Sequence, residues 1–433
     1  MNIQLKRVIG KWDLVLLLIN SLVGAGIFGL PSKIFAQAGF YSLLVIVFCA
    51  AVMLILVLNF AEVASQFTKT GGPYLYTLTA FGKFPAFLMG WLILITRLAT
   101  YAALVNIFVT YLGVFNPVLE THSAKIAIIF ILTLFFTLVN HFGVKGSTIL
   151  NNSLTIAKLV PLFMFIGVGM FFIDTENFNP GKSNGELFGF FNSVFLMVFA
   201  FSGFEAIIVN SGEIMTPRKN IPVALFITIG FVTVFYVLLQ MVCIGTFPGL
   251  AESERPIADA ALQFAGPVGA MIISVGALFS VGGTINTVML IGSRLPYALS
   301  EEEQLPGFLS YVHRKFQTPT WSLLFFAVIA FLVSVSGTFV YAVSISVVSK
   351  VMILGVVCAA LIKLRKTESG EKVFFRLRYG KSLAILGILI CLGLLMSSKA
   401  DEFRDTLITL TFGVIIFVLF KLFKKKKRKV NSN

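Results

Sequence analysis

Hydrophobic runs of about twenty residues recur along the chain and alternate with short polar connections. A helix of that length crosses a hydrocarbon core of about 30 Å. A transmembrane barrel would instead show stretches of about ten residues that alternate in polarity, and the sequence has no such pattern. Because hydrocarbon cannot satisfy exposed backbone polar groups, the runs predict an all-α integral membrane protein.

The pattern predicts about twelve transmembrane helices. They cover residues 12–36, 40–66, 84–114, 124–142, 149–173, 189–211, 221–246, 264–299, 320–335, 338–363, 380–398 and 403–423. The opening segment lacks the cleavage site of a secretory signal peptide, so we expect it to be a retained first helix. The connections leave no room for a separate soluble domain. We therefore expect residues 1–433 to form a single transmembrane domain.

Composition and charge fit this picture and add an orientation. Hydrophobic residues make up 58% of the chain and charged residues 12%, against about 45–50% and 25% in soluble domains. Most of the 34 lysines and arginines fall on the side of the N-terminus, which predicts a multi-pass protein of the cell inner (plasma) membrane with both termini cytoplasmic. The basic tail, 424–433, could be a nucleic-acid patch or a localisation signal. Its place directly after a membrane helix favours anionic lipid as partner instead.

Several kinds of chemistry lack a supporting motif. The four cysteines lie far apart inside apolar runs, without metal-ligand spacing. His122, His141 and His313 fall in predicted loops and are expected to lie far apart, and there is no nucleotide-binding glycine loop. We therefore expect no catalytic residues, no metal, no cofactor and no nucleic-acid partner, and predict that the protein is not an enzyme.

The first predicted helix contains a cluster of residues that weaken helices. In NSLVGAGIFGLP, residues 20–31, Gly24, Gly26 and Gly29 precede Pro31. An interrupted membrane helix exposes N–H groups that suit a carboxylate, provided that they line a cavity. Small residues also allow two helices to pack closely without any interruption, and that alternative stays open.

A second candidate interruption lies five helices later. The stretch FAFSGFEAIIVNSGE, residues 199–213, places Ser202, Gly203 and the ionisable Glu205 inside an apolar segment. Interruptions at corresponding positions of two halves indicate inverted repeats with a substrate site between them. We therefore predict one five-helix repeat over about 12–173 and a second over about 189–363. The helices over about 380–423 are additional to these repeats.

Four stretches carry a resemblance to a known family. They are NSLVGAGIFGLP, AEVASQFTKTGGPYLY, FSGFEAIIVNSGEIMTPRKNIPVAL and INTVMLIGSRLPYALSEEEQLP. In their order and spacing, they identify the chain as a member of the amino acid, polyamine and organocation (APC) transporter superfamily. The resemblance implies the LeuT-type fold, alternating access, and recognition of a substrate's amino and carboxylate groups by the unwound parts of helices 1 and 6.

The resemblance also assigns residues. It implies that helix 1 supplies a carboxylate-binding turn and that helix 6 meets the ammonium group, with an aromatic gate at Phe199. The candidate substrate-binding residues are Val23, Gly24, Ala25, Gly26, Ile27, Phe199, Ala200, Phe201, Ser202 and Gly203. Positions of the family's scaffold and cytoplasmic gate are matched by Glu213, Pro217, Asn220, Pro222, Arg294 and Pro306. SEEEQLP, residues 300–306, departs from the pattern of many members. The resemblance therefore does not define how the inner loop after helix 8 acts as a gate.

Ionisable groups inside membrane helices are functional candidates, because a charge at the bilayer centre costs about 2.5–3.5 kcal/mol or more. Lys158 lies about 15 Å into helix 5 and resembles a lysine that replaces sodium in some relatives. It either couples protonation to gating or stands as a fixed charge on the carbonyls of helix 1. Glu205 and Arg97 are further coupling or gating candidates and possible partners of each other. Lys350 and Glu62 are expected to be scaffold.

The sequence therefore predicts a secondary active transporter of amino acids or related small amines. We expect it to be sodium-independent, and either proton-coupled or an exchanger. The alternative is a membrane-embedded amino acid sensor that binds without net transport. The sequence leaves the particular substrate open, and also the choice between monomer and homodimer.

Overall fold

The computed structural model describes residues 6–113, 115–178, 187–336, 339–366, 374–396 and 400–430. Over these residues the fold is built from α-helices joined by short turns and 3₁₀ segments. The helices are α1 (Lys11–Leu22), α2 (Ala25–Ala38), α3 (Ser42–Ala64), α4 (Pro73–Phe81), α5 (Lys83–Gly113), α6 (His122–His141), α7 (Val144–Gly169), α8 (Leu187–Phe201), α9 (Phe204–Ile207), α10 (Pro217–Thr246), α11 (Pro256–Glu301), α12 (Thr320–Val335), α13 (Phe339–Leu364), α14 (Gly380–Met396) and α15 (Ala400–Val430).

Seven stretches of the described chain are long and apolar enough to cross a membrane, and α12 and α14 are among the shorter apolar helices. When α1 and α2 are taken as one interrupted span, and α8 and α9 as another, the described helices correspond to the predicted segments. The protein is therefore a multi-pass membrane protein. The last residues of the predicted basic tail, 431–433, lie outside the described part of the chain.

Three elements differ from the prediction. Helix α4 lies in a connection for which no helix was predicted, α11 begins at Pro256 rather than at 264, and α15 continues to Val430 rather than ending at 423. Gly266 interrupts α11 with a φ of 64°, so its first turns form a separate short piece before the long membrane-spanning part. Proline at the first position of α4 and of α11 suits a helix start, because that N–H would have no helical partner.

Helix α11 lies at the centre of the molecule, where it packs against α7, α5 and α12, and also touches α1 and α2. Helices α14 and α15 lie outside this bundle, against α13. Peripheral helices expose apolar side chains, such as Phe130 and Ile131 of α6, while polar side chains such as Asn20, Asn151 and Asn286 are buried inside. Buried polar side chains therefore lie within the helix bundle, and apolar side chains cover its outer surface.

Candidate functional site

The first interruption lies between α1 and α2. Helix α1 ends at Leu22, and Gly24 adopts extended backbone angles (φ −103°, ψ −154°) before α2 begins at Ala25. No side chain caps the start of α2, so its first N–H groups have no helical partner and carry the positive end of the helix dipole. The predicted break is confirmed. The side chain of Ala25 lies outside the described part of the structure, although its backbone opens α2.

The second interruption lies between α8 and α9. Helix α8 ends at Phe201, Ser202 and Gly203 are non-helical, and α9 begins at Phe204. Gly203 has a φ of 127°, which favours glycine. The Glu205 carboxylate accepts a hydrogen bond from the Gly203 N–H at 2.7 Å. Glu205 therefore fixes the turn through its own side chain.

The two interruptions contact each other directly. A Cβ placed on Gly203 would lie 2.6 Å from the Ser21 Oγ of α1, so only glycine allows this approach. The Tyr236 hydroxyl of α10 donates to the Leu22 carbonyl at 2.8 Å and also lies 3.3 Å from the Ala200 carbonyl. Tyr236 thus connects both breaks. One signal could have identified it from the sequence, since a tyrosine deep in an apolar helix needs a partner for its hydroxyl.

Lys158 of α7 binds the broken end of α1. Its Nζ donates to the Asn20 carbonyl at 3.0 Å, to the Asn20 Oδ1 at 2.5 Å and to the Val23 carbonyl. An ammonium group has three protons, and these three oxygens use all of them. The Ser280 hydroxyl of α11 also donates to the Val23 carbonyl, at 3.2 Å. A fully buried cation therefore satisfies the carbonyls that the interruption frees.

A polar network continues from this ammonium into the bundle. The Asn20 Nδ2 donates to the Asn151 Oδ1 at 2.6 Å and to the Thr287 Oγ1 at 3.0 Å. The Thr287 hydroxyl lies 2.6 Å from the same Asn151 Oδ1. The network joins α1, α7 and α11, so a movement of one of these helices breaks buried hydrogen bonds to the others.

Further charges lie beside the second interruption. The Arg97 Nη2 of α5 is 3.4 Å from the Glu205 Oε1, so the pairing considered from the sequence is present. The Lys350 Nζ of α13 lies 4.3 Å from the centre of the Phe199 ring. Lys350 was expected to be scaffold, whereas the structure places it against a candidate site residue. Glu62 instead forms an ion pair with Arg365 at 2.6 Å.

Phe199 lies between the first interruption and the charged residues beside the second interruption. Its Cδ1 lies 3.4 Å from the position of a Cβ on Gly26, and its side chain is 37% exposed. Phe201, two residues on, is buried and packs edge-to-face on the Tyr236 ring at 5.4 Å. The Val23, Ile27 and Ala200 side chains are buried as well. The candidate residues whose side chains are described thus surround the junction of the two breaks.

The side of the N-terminus is closed in this structure. Arg294 of α11 forms a two-pronged ion pair with Glu213, with the Nη2 to Oε1 distance at 2.9 Å, and neither side chain is exposed. The Glu213 carbonyl accepts hydrogen bonds from the Val8 and Ile9 N–H groups at 3.0 Å. The segment that precedes α1 is therefore fixed to the segment that follows α9.

One expectation about the histidines is wrong. His141 and His313 do not lie far apart, since their ring centroids are 5.4 Å from each other and both rings contact Phe316. His122 and His141 are the first and last residues of α6 rather than loop residues. The turn after α11 folds back onto the end of α6, with the Thr318 hydroxyl donating to the His141 carbonyl at 3.0 Å, and this long-range contact could not be inferred from spacing.

Paired interrupted helices that meet inside an apolar bundle are the arrangement of secondary transporters with a site at mid-membrane depth. Over residues 9–427, the chain matches the family model described as amino acid permease. The protein belongs to this family, within the APC superfamily.

Its relatives cover nearly the whole chain. It is 30% identical to the branched-chain amino acid permease BcaP of Bacillus subtilis, covering 99% of this chain and 95% of that protein. It is 26% identical to the serine/threonine exchanger SteT of the same organism, with 98% of each chain covered. The crystal structure of MhsT in complex with L-phenylalanine superposes with a TM-score of 0.61 at 15% identity, covering 91% of this chain and 100% of that one. The fold is therefore the all-α LeuT type.

Proposed function

We propose that the protein is a secondary active transporter that carries amino acids or related small amines by alternating access. The observation that supports this most strongly is the junction of the two interruptions. The free N–H groups at the start of α2 suit a carboxylate, and the carbonyls near the end of α8 suit an ammonium group. Phe199 lies beside this junction and is the candidate gate.

We further propose that transport is independent of sodium. The carbonyl oxygens at the end of α1 would suit a small cation, but the Lys158 ammonium already occupies that position. A sodium ion there would meet both a filled site and a like charge. The driving force is then a proton gradient or exchange of one substrate for another, and Lys158 and Glu205 are the candidate coupling residues.

Uptake into proteoliposomes tests this proposal. Purified protein is given a panel of radiolabelled amino acids with sodium or choline outside, and with or without a pH gradient. We expect accumulation or exchange that is equal in sodium and in choline. A strict requirement for sodium would overturn the sodium-independent mechanism. Binding without accumulation or exchange would identify a sensor, which is the alternative function.

The Lys158→Ala variant tests the role of the buried ammonium. Its loss leaves the Asn20 carbonyl and the Asn20 Oδ1 without this donor, at about 1–3 kcal/mol for each unsatisfied group, while the Val23 carbonyl keeps only the Ser280 hydrogen bond. We expect uptake to fall by on the order of tenfold to a hundredfold. Lys145→Ala is the matched control, because Lys145 is exposed on the same helix. Unchanged uptake and unchanged pH dependence in Lys158→Ala would contradict both proposed roles of this lysine.

The proposal also covers the membrane in which the protein lies, its orientation in that membrane, and its contact with lipid. The charge distribution supports a plasma membrane location with both termini in the cytoplasm. The basic tail, 424–433, is then close to anionic headgroups.

A further inference from the structure

Three charged side chains from three different helices lie beside the substrate site. They are Arg97 of α5, Glu205 of α9 and Lys350 of α13, and their exposed fractions are only 3%, 2% and 7%. Arg97 and Glu205 are 3.4 Å apart, and both act electrostatically on Lys350. The cluster thus holds two cations and one anion in a part of the molecule that excludes water.

The single carboxylate is already engaged. One Glu205 oxygen accepts the Gly203 N–H, and the other accepts Arg97 through one long contact. The Arg97 Nε is buried without a hydrogen-bond partner among the described residues. Within the same part of the chain, the Lys350 ammonium reaches no carboxylate, and its contact is the face of the Phe199 ring. Donors and positive charge therefore exceed acceptors and negative charge.

An uncompensated buried charge is costly, and proteins satisfy such a charge with a partner of opposite sign. No described side chain supplies that partner, and an anionic ligand would supply it. An arginine with a free N–H beside a lysine suits a carboxylate, because both groups donate charge-assisted hydrogen bonds.

The position of the cluster relative to the two breaks decides which part of a substrate it can reach. Phe199 contacts the Gly26 position on one side and carries the Lys350 ammonium over its ring. A substrate whose α-carboxylate binds the start of α2 therefore has the Phe199 ring along its length and the two cations beyond it. This distal position is where a side-chain carboxylate would lie.

We infer that Arg97 and Lys350 form a cationic subsite for a second anionic group of the substrate. The protein then prefers acidic amino acids, aspartate and glutamate, over their neutral amides. This inference rests on the proposed transport function, since it uses the same site. It adds the class of substrate, which neither the fold nor the family defines.

Competition between paired substrates tests the inference. Binding of L-glutamate and L-glutamine, and of L-aspartate and L-asparagine, is measured on purified protein in detergent. Each pair differs in charge and hardly at all in size. We expect the acid to bind more tightly than its amide by on the order of tenfold or more. Equal or tighter binding of the amides to the unmodified protein would overturn the inference.

Variants locate the preference at the proposed residues. Lys350→Met keeps an unbranched side chain against Phe199 without the charge, and should bring the acid-to-amide ratio close to one. Lys350→Arg should keep the preference. The matched control is Lys363→Met, since Lys363 lies on the same helix and over another ring, that of Phe81, at 5.3 Å. It should leave the ratio unchanged. An undiminished ratio in Lys350→Met would remove Lys350 from the subsite.

Flux measurements separate this inference from the proposed function. If neutral amino acids are transported and acidic ones are not, the subsite is wrong and the transporter stands. If acids bind preferentially but no amino acid accumulates or exchanges, the subsite stands and the transport function fails.

Discussion

At the scale of single residues, the site depends on a few polar groups that satisfy the backbone where it is broken. Lys158 donates to the oxygens at the end of α1, Glu205 accepts the Gly203 N–H, and Tyr236 lies between carbonyls of both breaks. In an apolar bundle, each unsatisfied carbonyl or N–H would cost free energy comparable to a lost hydrogen bond. The same groups therefore stabilise the interruptions and hold them at a fixed distance.

The Tyr236→Phe variant isolates the hydroxyl that joins the two breaks. Its hydrogen bonds contribute about 0.5–1.5 kcal/mol, so we expect substrate affinity to weaken by about 2- to 12-fold with little change in packing. The KM of uptake is the measurement. The matched control is Tyr74→Phe, because Tyr74 is equally buried and its hydroxyl has no partner among the described residues. A loss of equal size in both variants would argue against a specific role of Tyr236.

Sequence reasoning identified some of these residues and missed others. Charged side chains stand out in apolar segments, so Lys158, Glu205 and Arg97 could be selected without a structure, and the pairing of Arg97 with Glu205 could be considered. Tyr236 and the contact of Lys350 with Phe199 depend on how closely α10 and α13 approach α8. Such distances between helices are a property of packing and leave no periodic signal in the chain.

At the scale of elements, the broken helices were predictable because glycine and proline inside an apolar run have a local effect on the backbone. The short helix α4 was not, since its start is set by Pro73 after two glycines with positive φ, Gly71 and Gly72. Gly72 lies against the backbone of Val209, a contact between distant parts of the sequence. The predicted spans therefore left this connection without a helix.

Gly203→Ala tests the junction of the two interrupted helices. An added Cβ would meet the Ser21 Oγ at 2.6 Å, and alanine is strained at a φ of 127°. We expect destabilisation by more than about 1 kcal/mol, seen as a lower melting temperature in detergent together with reduced uptake. The control is Gly29→Ala in α2, where a Cβ meets nothing within 4 Å. Gly29→Ala should keep or raise stability, and equal damage from both changes would contradict this account.

At the scale of the whole molecule, the structure has one closed side. The buried pair of Glu213 and Arg294 joins the segment after α9 to α11, and backbone hydrogen bonds add the chain around Ile9 to the same assembly. Phe199, by contrast, is partly exposed. The proposed alternating access requires a second state in which this closure opens. The ion pair is then a contact made in one state, and its loss changes the balance between states.

Glu213→Gln tests this role of the ion pair. The change keeps the shape of the side chain but leaves Arg294 as a buried charge without its counter-ion, a loss of about 3–5 kcal/mol when one partner is removed. The closed state alone bears this cost, so we expect the population to shift towards opening on the side of the N-terminus. The measurement is labelling of a Ser202→Cys thiol by an impermeant reagent applied from that side. We expect little background labelling, because the four native cysteines are buried.

A second ion pair provides the control for this experiment. Glu62→Gln breaks a buried pair of similar geometry between α3 and Arg365 beyond α13, with a 2.6 Å contact. It should lower stability in the same way, because it also leaves an arginine without its carboxylate. It should not raise the labelling rate at position 202, since Glu62 does not join the segments that close the N-terminal side. Faster labelling in Glu213→Gln alone supports a gate, whereas equal rates in both variants would reduce the Glu213–Arg294 pair to a stabilising contact.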